Sequence, residues 1–220
     1  MLESIGSRTL RLTGGDTHGS LVPPGDAQRA QVEAFVADIY RHHHGARLRS
    51  FLPGLLAFRD GDGSVQAVVG LRRGGTEPLF VEQYLDAPAE VIVSSRAGRQ
   101  VERHHVVEVG NLAVSAPGDI RPLVAHLTAV LHEAGLRWVL FTATRQLRNT
   151  FTRIGLAPVE LAEARAERLR GDASDWGSYY AVQPRVVLGD LAAGQAWLHA
   201  RMPESDVASA LPLDLLARSA

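Results

Sequence analysis

The middle of the chain alternates between solid apolar runs and helical stripes. Residues 106–114 are nearly all β-branched or apolar, which predicts a strand buried on both faces. The run 115–119, SAPGD, breaks it with turn residues. From Ile120 the apolar positions recur at helical spacing through Ala134, and Gly135 stands where a helix end favours a left-handed residue. Residues 138–141 predict a second strand, and Leu147, Phe151 and Ile154 one face of a second helix that stops at Gly155. Strand, helix, strand implies a parallel pair joined by a right-handed crossover.

Upstream, residues 7–12 predict a short strand and 13–26 a loop. Asp26 reads as an N-cap for a helix that ends near His42. Residues 51–59 and 65–72 form two apolar runs around DGDG, a hairpin signal. Residues 79–85 read as a strand or a short segment leading into 86–88, 89–95 as helix, and 96–103 as a polar, exposed stretch. Downstream, 159–170 carries helix-forming residues on a weak stripe. Residues 171–180 mix turn formers with three aromatics, as a loop packed over a pocket does. Residues 184–189 predict a strand and 191–201 a helix, and the tail after Met202 is expected to fray or dock. This order describes a mixed α/β (α+β) sheet. It divides into an N-terminal strand and loop segment (1–26), a core (27–158) and a C-terminal appendage (159–220).

Composition narrows the chemistry. Lys plus Arg number 23 and Asp plus Glu 24, so nothing suggests nucleic-acid binding. Cysteine is absent, which removes disulfides, thiolate metal sites and Cys nucleophiles. No apolar run has the length of a signal peptide or a membrane span, so a cytoplasmic protein is the expectation. His42, His43 and His44 close a helix and suit its dipole. Three successive helical residues point three ways, so no metal site is expected there. The helix that begins at Ile120 starts at the carboxyl end of a parallel strand. Its free N–H groups make an anion site, so a phosphate-bearing cofactor is expected against residues 114–121.

Several separated motifs add a family likeness. FLP at 51–53, PLFVEQYLD at 78–86, EVGNLA at 108–113, FTAT at 141–144 and DWGSYY at 175–180 resemble, in this order, the thermostable haemolysin family. The central unit is similar to the GCN5-related N-acetyltransferase superfamily and to acyl-homoserine-lactone synthases. The resemblance implies a twisted, mostly antiparallel sheet with a splayed central parallel pair and helices on both faces. It also implies an acyl-CoA, or an acyl-phosphopantetheine on a carrier protein, as donor to a small-molecule amine, with no metal. Partners compatible with it are an acyl carrier protein, for which Arg96, Arg99, Arg103 and Arg121 offer a patch, and a second copy in a homodimer.

On that resemblance the donor lies against Leu112, Ala113, Val114, Gly118, Asp119, Ile120 and Arg121, with Arg148 as a phosphate ligand. The phosphate loop departs from the superfamily in holding one glycine, which Arg121 would offset by pairing with phosphate. The superfamily's frequent tyrosine acid falls on Phe151, beside the donor, so a proton donor, if one is needed, must come from elsewhere, with Tyr179 and Tyr180 as candidates. Glu108, a carboxylate in an apolar strand, is the candidate base, since burial raises its pKa. The bland alternative is a structural Glu. Strict alternation would put Asn111 on the other face, and a bulge at Gly110 would bring it beside Glu108. Glu82, Gln83, Tyr84, Thr142, Trp176 and Tyr179 are candidate acceptor contacts. Two other readings stay open: a non-catalytic acyl-binding module, favoured by Phe151, and a membrane-active lytic protein. The latter rests on a weak amphipathic stretch at 191–216 that is poor in Lys and Arg.

Overall fold

The structure, a computed structural model, describes residues 8–75 and 77–201. Eight strands form one sheet in the order β1-β2-β3-β4-β5-β6-β8-β7. They are β1 (Arg8–Leu12), β2 (Gly15–Val22), β3 (Gly54–Arg59), β4 (Val65–Arg73), β5 (Val106–Val114), β6 (Trp138–Ala143), β7 (Val159–Glu163) and β8 (Arg185–Asp190). All neighbours are antiparallel except β5 and β6, which run parallel as the crossover argument requires. Among the described residues five α-helices cover the two faces: α1 (Arg29–His44), α2 (Ala89–Ala97), α3 (Ile120–Glu133), α4 (Arg145–Arg153) and α5 (Leu191–His199).

Alternation along each strand divides the core. Val107, Val109, Phe141, Leu56, Phe58 and Val69 point to one face, where Leu123 and Leu127 of α3, Phe151 of α4 and Leu191 of α5 close on them. Val106 and Leu140 point to the other face, under Leu79, Tyr84 and the α2 residues Ala89 and Val93. Leu55, Ala57, Val68 and Ala113 lie on that second face too, beneath Val32 and Val36 of α1. Gly45 ends α1 in the left-handed conformation, φ 66°, behind a last turn of Arg41 and three histidines. Asp26 sits two residues ahead of the capping position. Its carboxylate accepts from the Gln28 N–H, and Gln28 is the capping residue.

The structure differs from the sequence reading at four places. Residues 15–22 are a strand, not loop: Thr17 is fully buried, and its hydroxyl donates to the Leu10 carbonyl across the first hairpin. Phe80–Tyr84 is a 3-10 turn, because two carboxylates, Glu82 and Glu108, bind its leading N–H groups. Residues 159–163 are a strand and Ala166–Arg168 a 3-10 turn, since pairing with β8 overrides the helix formers. Arg103 is not free surface: its guanidinium, largely covered, joins Glu82 and Glu90 at 2.6 Å each. The tail after Met202, and with it most of the 191–216 stretch, lies outside the described residues. No helix among the described residues is long and apolar enough to cross a membrane.

Candidate active site

The parallel pair is joined over only part of its length. Register runs from Val106 opposite Trp138 to Val109 opposite Phe141 and stops there. Beyond it β5 continues to Val114 beside β4 alone, and β6 continues to Ala143 beside β8. Backbone groups on a strand alternate between its two neighbours, so those of 110–114 that point away from β4 face an open wedge. The divergence begins at a bulge. Val68 pairs Ala113 and Gly70 pairs Gly110, so β5 spends one more residue than β4 between these points. Asn111 absorbs it with φ 46°, a left-handed conformation Asn tolerates better than most residues.

The bulge reverses the alternation. Ahead of it Val107 and Val109 face α3, and beyond it Leu112 and Val114 do. Glu108 and Asn111 therefore stand on the same, opposite face. Asn111 Oδ1 accepts from the Leu52 N–H at 2.8 Å and lies over Gly70, where a Cβ would come within 2.7 Å of it. Glu108 is 1 % exposed and holds the start of the 3-10 turn. Oε2 accepts from the Phe80 N–H at 2.7 Å and Oε1 from the Val81 N–H at 2.9 Å. Burial pushes its pKa up to about 7, against the pull of those two N–H donors and of Arg72.

At the far end of the wedge, Gly118 and Arg121 are exposed and α3 starts at Ile120. Asp119 turns inward instead of capping the helix. At 2 % exposure, its Oδ1 accepts from the Thr13 N–H (2.7 Å) and hydroxyl (2.6 Å), tying the first hairpin to the loop. Ile120 is half-buried against the α3 core. Arg148 is partly spent, since Nη1 donates to the Ala143 carbonyl at the end of β6 at 2.8 Å. Phe151 packs on Phe141, ring centroids 5.1 Å apart, in the apolar layer under the wedge. Nothing there could serve as an acid. The exposed helix start offers N–H groups to an anion, and the open strand edges leave backbone groups without a strand partner.

The proposed acceptor contacts divide. Glu82 is committed: it accepts from the Leu79 and Ala89 N–H groups and pairs with Arg103, and although burial is the largest single influence and pushes its pKa up, those contacts together outweigh it and leave the pKa lowered. Gln83 donates to the Phe80 carbonyl and accepts from the Arg170 N–H. Tyr84 is core, its hydroxyl 2.6 Å from that of Tyr180, and burial raises its pKa strongly. All three are hydrogen-bonded within the chain. Thr142 lies on β6 one residue past the last parallel pair, and the Tyr179 hydroxyl donates to it at 3.0 Å. Trp176 stacks between Phe80 and Tyr179, with centroids at 5.9 and 5.2 Å.

The sequence profile of the family described as thermostable hemolysin matches residues 22–195. The chain belongs to the thermostable haemolysin family. No curated protein matches it in sequence. Its fold is shared with solved acyl-transferring enzymes. One is a CoA-dependent acyl-homoserine lactone synthase, BjaI, solved with SAM and isopentyl-CoA. It has 16% identity and TM-score 0.59, over 92% of this chain and 98% of that one. FeeM, an N-acyl amino acid synthase from uncultured soil microbes, has 10% identity and TM-score 0.57, over 85% and 99%. A GNAT-family acetyltransferase from Listeria monocytogenes has 9% identity and TM-score 0.50, over 83% and 99%. At these identities the likeness is one of fold.

In this haemolysin-family chain four contributors to the site were missed from sequence. The Leu52 N–H, Phe80, Tyr40 and His44 all approach from elsewhere in the chain. Tyr40 stacks on Tyr179 at 6.3 Å and His44 meets it edge-on at 5.3 Å, so the end of α1 walls the aromatic cluster. Burial, with His43 beside it, lowers the pKa of His44, which keeps it a neutral neighbour near pH 7. The only local signal was the run of aromatics and histidines itself. His104 and His105 stack on each other away from the wedge, at 4.0 Å. Among the described residues no group of side chains is placed to hold a metal.

Proposed function

We propose that this protein moves an acyl group from a phosphopantetheine thioester, acyl-CoA or an acyl carrier protein, onto an amine by direct attack in a ternary complex. The observation that carries this is the opening of β5 from β6 beyond Val109 and Phe141, beside the exposed start of α3. The pantetheine arm lies in that opening, replacing the missing strand partner, with its phosphates at Gly118–Arg121. A wedge N–H, that of Leu112 or of Ala113, faces the thioester oxygen and stabilises it as it becomes an oxyanion. That BjaI is described with isopentyl-CoA, and FeeM as an N-acyl amino acid synthase, supports a thioester donor and an amine acceptor.

In the step itself the amine nitrogen attacks the thioester carbon, a C–N bond forms and the C–S bond breaks. Glu108 takes the amine proton: with a pKa about 7 it is matched to the task, and each oxygen keeps a lone pair beyond its backbone bond. Asn111 positions the bulge. Burial holds the Tyr179 proton at a pKa of about 12, above the roughly 8.5 of a thiol. Tyr179 therefore steadies the departing thiolate by a hydrogen bond, and proton transfer to it is not required. Thr142, Trp176 and Tyr179 border the acceptor.

The test is a panel of acyl-CoA and acyl-carrier-protein donors against amino acids and other amines, with product mass and thiol release as readouts. Stoichiometric amide and free thiol are expected. Donor binding without turnover over the whole panel would instead mark an acyl-binding module, and no donor binding would end the proposal.

A further inference from the structure

Between the start of α3, the end of α4 and the side of α5 lies a cavity of about 230 Å³. Arg121, Arg153 and Arg201 line it, and among the described residues no carboxylate does. The three come from three separate helical segments, so their convergence is a product of packing. One of them is held in place. The Arg201 guanidinium lies 3.4 Å from the centre of the Trp197 ring, a cation–π stack. Trp197 is fixed in turn, because its Nε1–H donates to the Ile154 carbonyl at 3.1 Å. The ring presses on Gly155, where any Cβ would come within 2.6 Å of it, and Gly155 has φ +75°. A planar fork beside a concave positive pocket with no carboxylate among its described lining suits a phosphomonoester.

We infer that this cavity is the seat of the 3′-phosphate of a coenzyme A thioester, and that the donor is accordingly a coenzyme A ester rather than a carrier protein. The inference rests on the acyl-transfer reading above. Arg121 belongs both to the start of α3 and to the cavity, so a nucleotide whose pyrophosphate rests on the helix start continues naturally into it. A carrier-borne arm ends in one phosphodiester to a serine and brings no phosphomonoester. A carrier would dock an acidic protein surface on a broad basic patch, of hundreds of Å² on each partner. The candidate patch for that is weakened, because Arg103 is already paired with Glu82 and Glu90.

Calorimetry on the full chain with coenzyme A, dephospho-coenzyme A and 4′-phosphopantetheine tests it. The wild type is expected to bind coenzyme A at least roughly tenfold more tightly than dephospho-coenzyme A, the worth of one good charge-assisted contact. In a folded Arg153→Ala, Arg201→Ala double variant the two are expected to bind alike. Arg201→Lys, which keeps the charge but loses the planar stack, is expected to lose most of the preference. Equal wild-type affinity for the two coenzymes overturns the inference. So does turnover with acyl carrier protein and none with acyl-CoA, which leaves the acyl-transfer reading standing. Failure of every donor to bind or react removes that reading itself.

Discussion

At the scale of single residues, Glu108 decides most. Its two oxygens hold the Phe80 and Val81 N–H groups, which alone would be a structural duty, yet burial raises its pKa to about 7. The sign of the stability effect follows. A carboxyl whose pKa rises on folding, here from 4.5, favours the folded state while it is protonated. That stability is present below the unfolded value and is lost as pH climbs through about 7. Activity should run the opposite way, because only the carboxylate accepts a proton. We expect kcat/KM to rise to a plateau just above neutrality in the wild type. Glu108→Gln should lower kcat by about 100-fold or more and flatten that limb of the profile. A variant that melts lower but keeps the wild-type pH limb would show that Glu108 only braces the 3-10 turn.

At the scale of elements the bulge in β5 matters most, and it is a joint product of two strands. Gly70 of β4 leaves the space that the Asn111 side chain fills, since a Cβ there would meet Asn111 Oδ1 at 2.7 Å and the Gly110 carbonyl at 3.1 Å. Gly70→Ala should therefore cost about 1–3 kcal/mol in urea unfolding, as overpacking does, and weaken donor binding with it. A neutral result would mean the bulge is held by something other than this fit. The same strand shows what was legible in the sequence. The apolar run gave the strand, and the helix and strand after it gave its parallel partner, because each follows from local pattern; the bulge was expected from the family resemblance. The wall around it did not follow. Glu82 and Tyr84 read as candidate acceptor contacts at the end of an apolar run. Their partners, Arg103 and Tyr180, lie 21 and 96 residues away. Strand β2 hid behind the polar string GDTHGS, since its inward residue is a threonine satisfied only across the hairpin. Strand β7 was mistaken for helix because VELAE is made of good helix formers, and only the neighbouring β8 overrules them.

At the scale of the whole molecule, the first hairpin and the centre of the chain meet at one buried carboxylate. Asp119 binds both the N–H and the hydroxyl of Thr13 across 106 residues of sequence. It thereby locks the turn between β1 and β2 onto the loop proposed to offer its N–H groups to phosphate. Two effects on donor binding then oppose each other. The negative charge repels phosphate, while the two hydrogen bonds hold the loop in its receptive shape. Two substitutions separate them. Asp119→Asn keeps an oxygen where Oδ1 accepts both bonds and removes the charge. It should bind the donor several-fold more tightly at low salt, with the gain shrinking as salt is added. Asp119→Ala removes both bonds and leaves the exposed Thr13 donors to water, so it should cost about 1–3 kcal/mol, at about 0.5–1.5 for each, and bind the donor worse despite the lost repulsion. Opposite shifts in affinity, measured by calorimetry beside urea unfolding, would mean that docking of the hairpin shapes the phosphate loop. Equal gains in both variants would mean that charge alone governs the site and the hairpin merely completes the sheet.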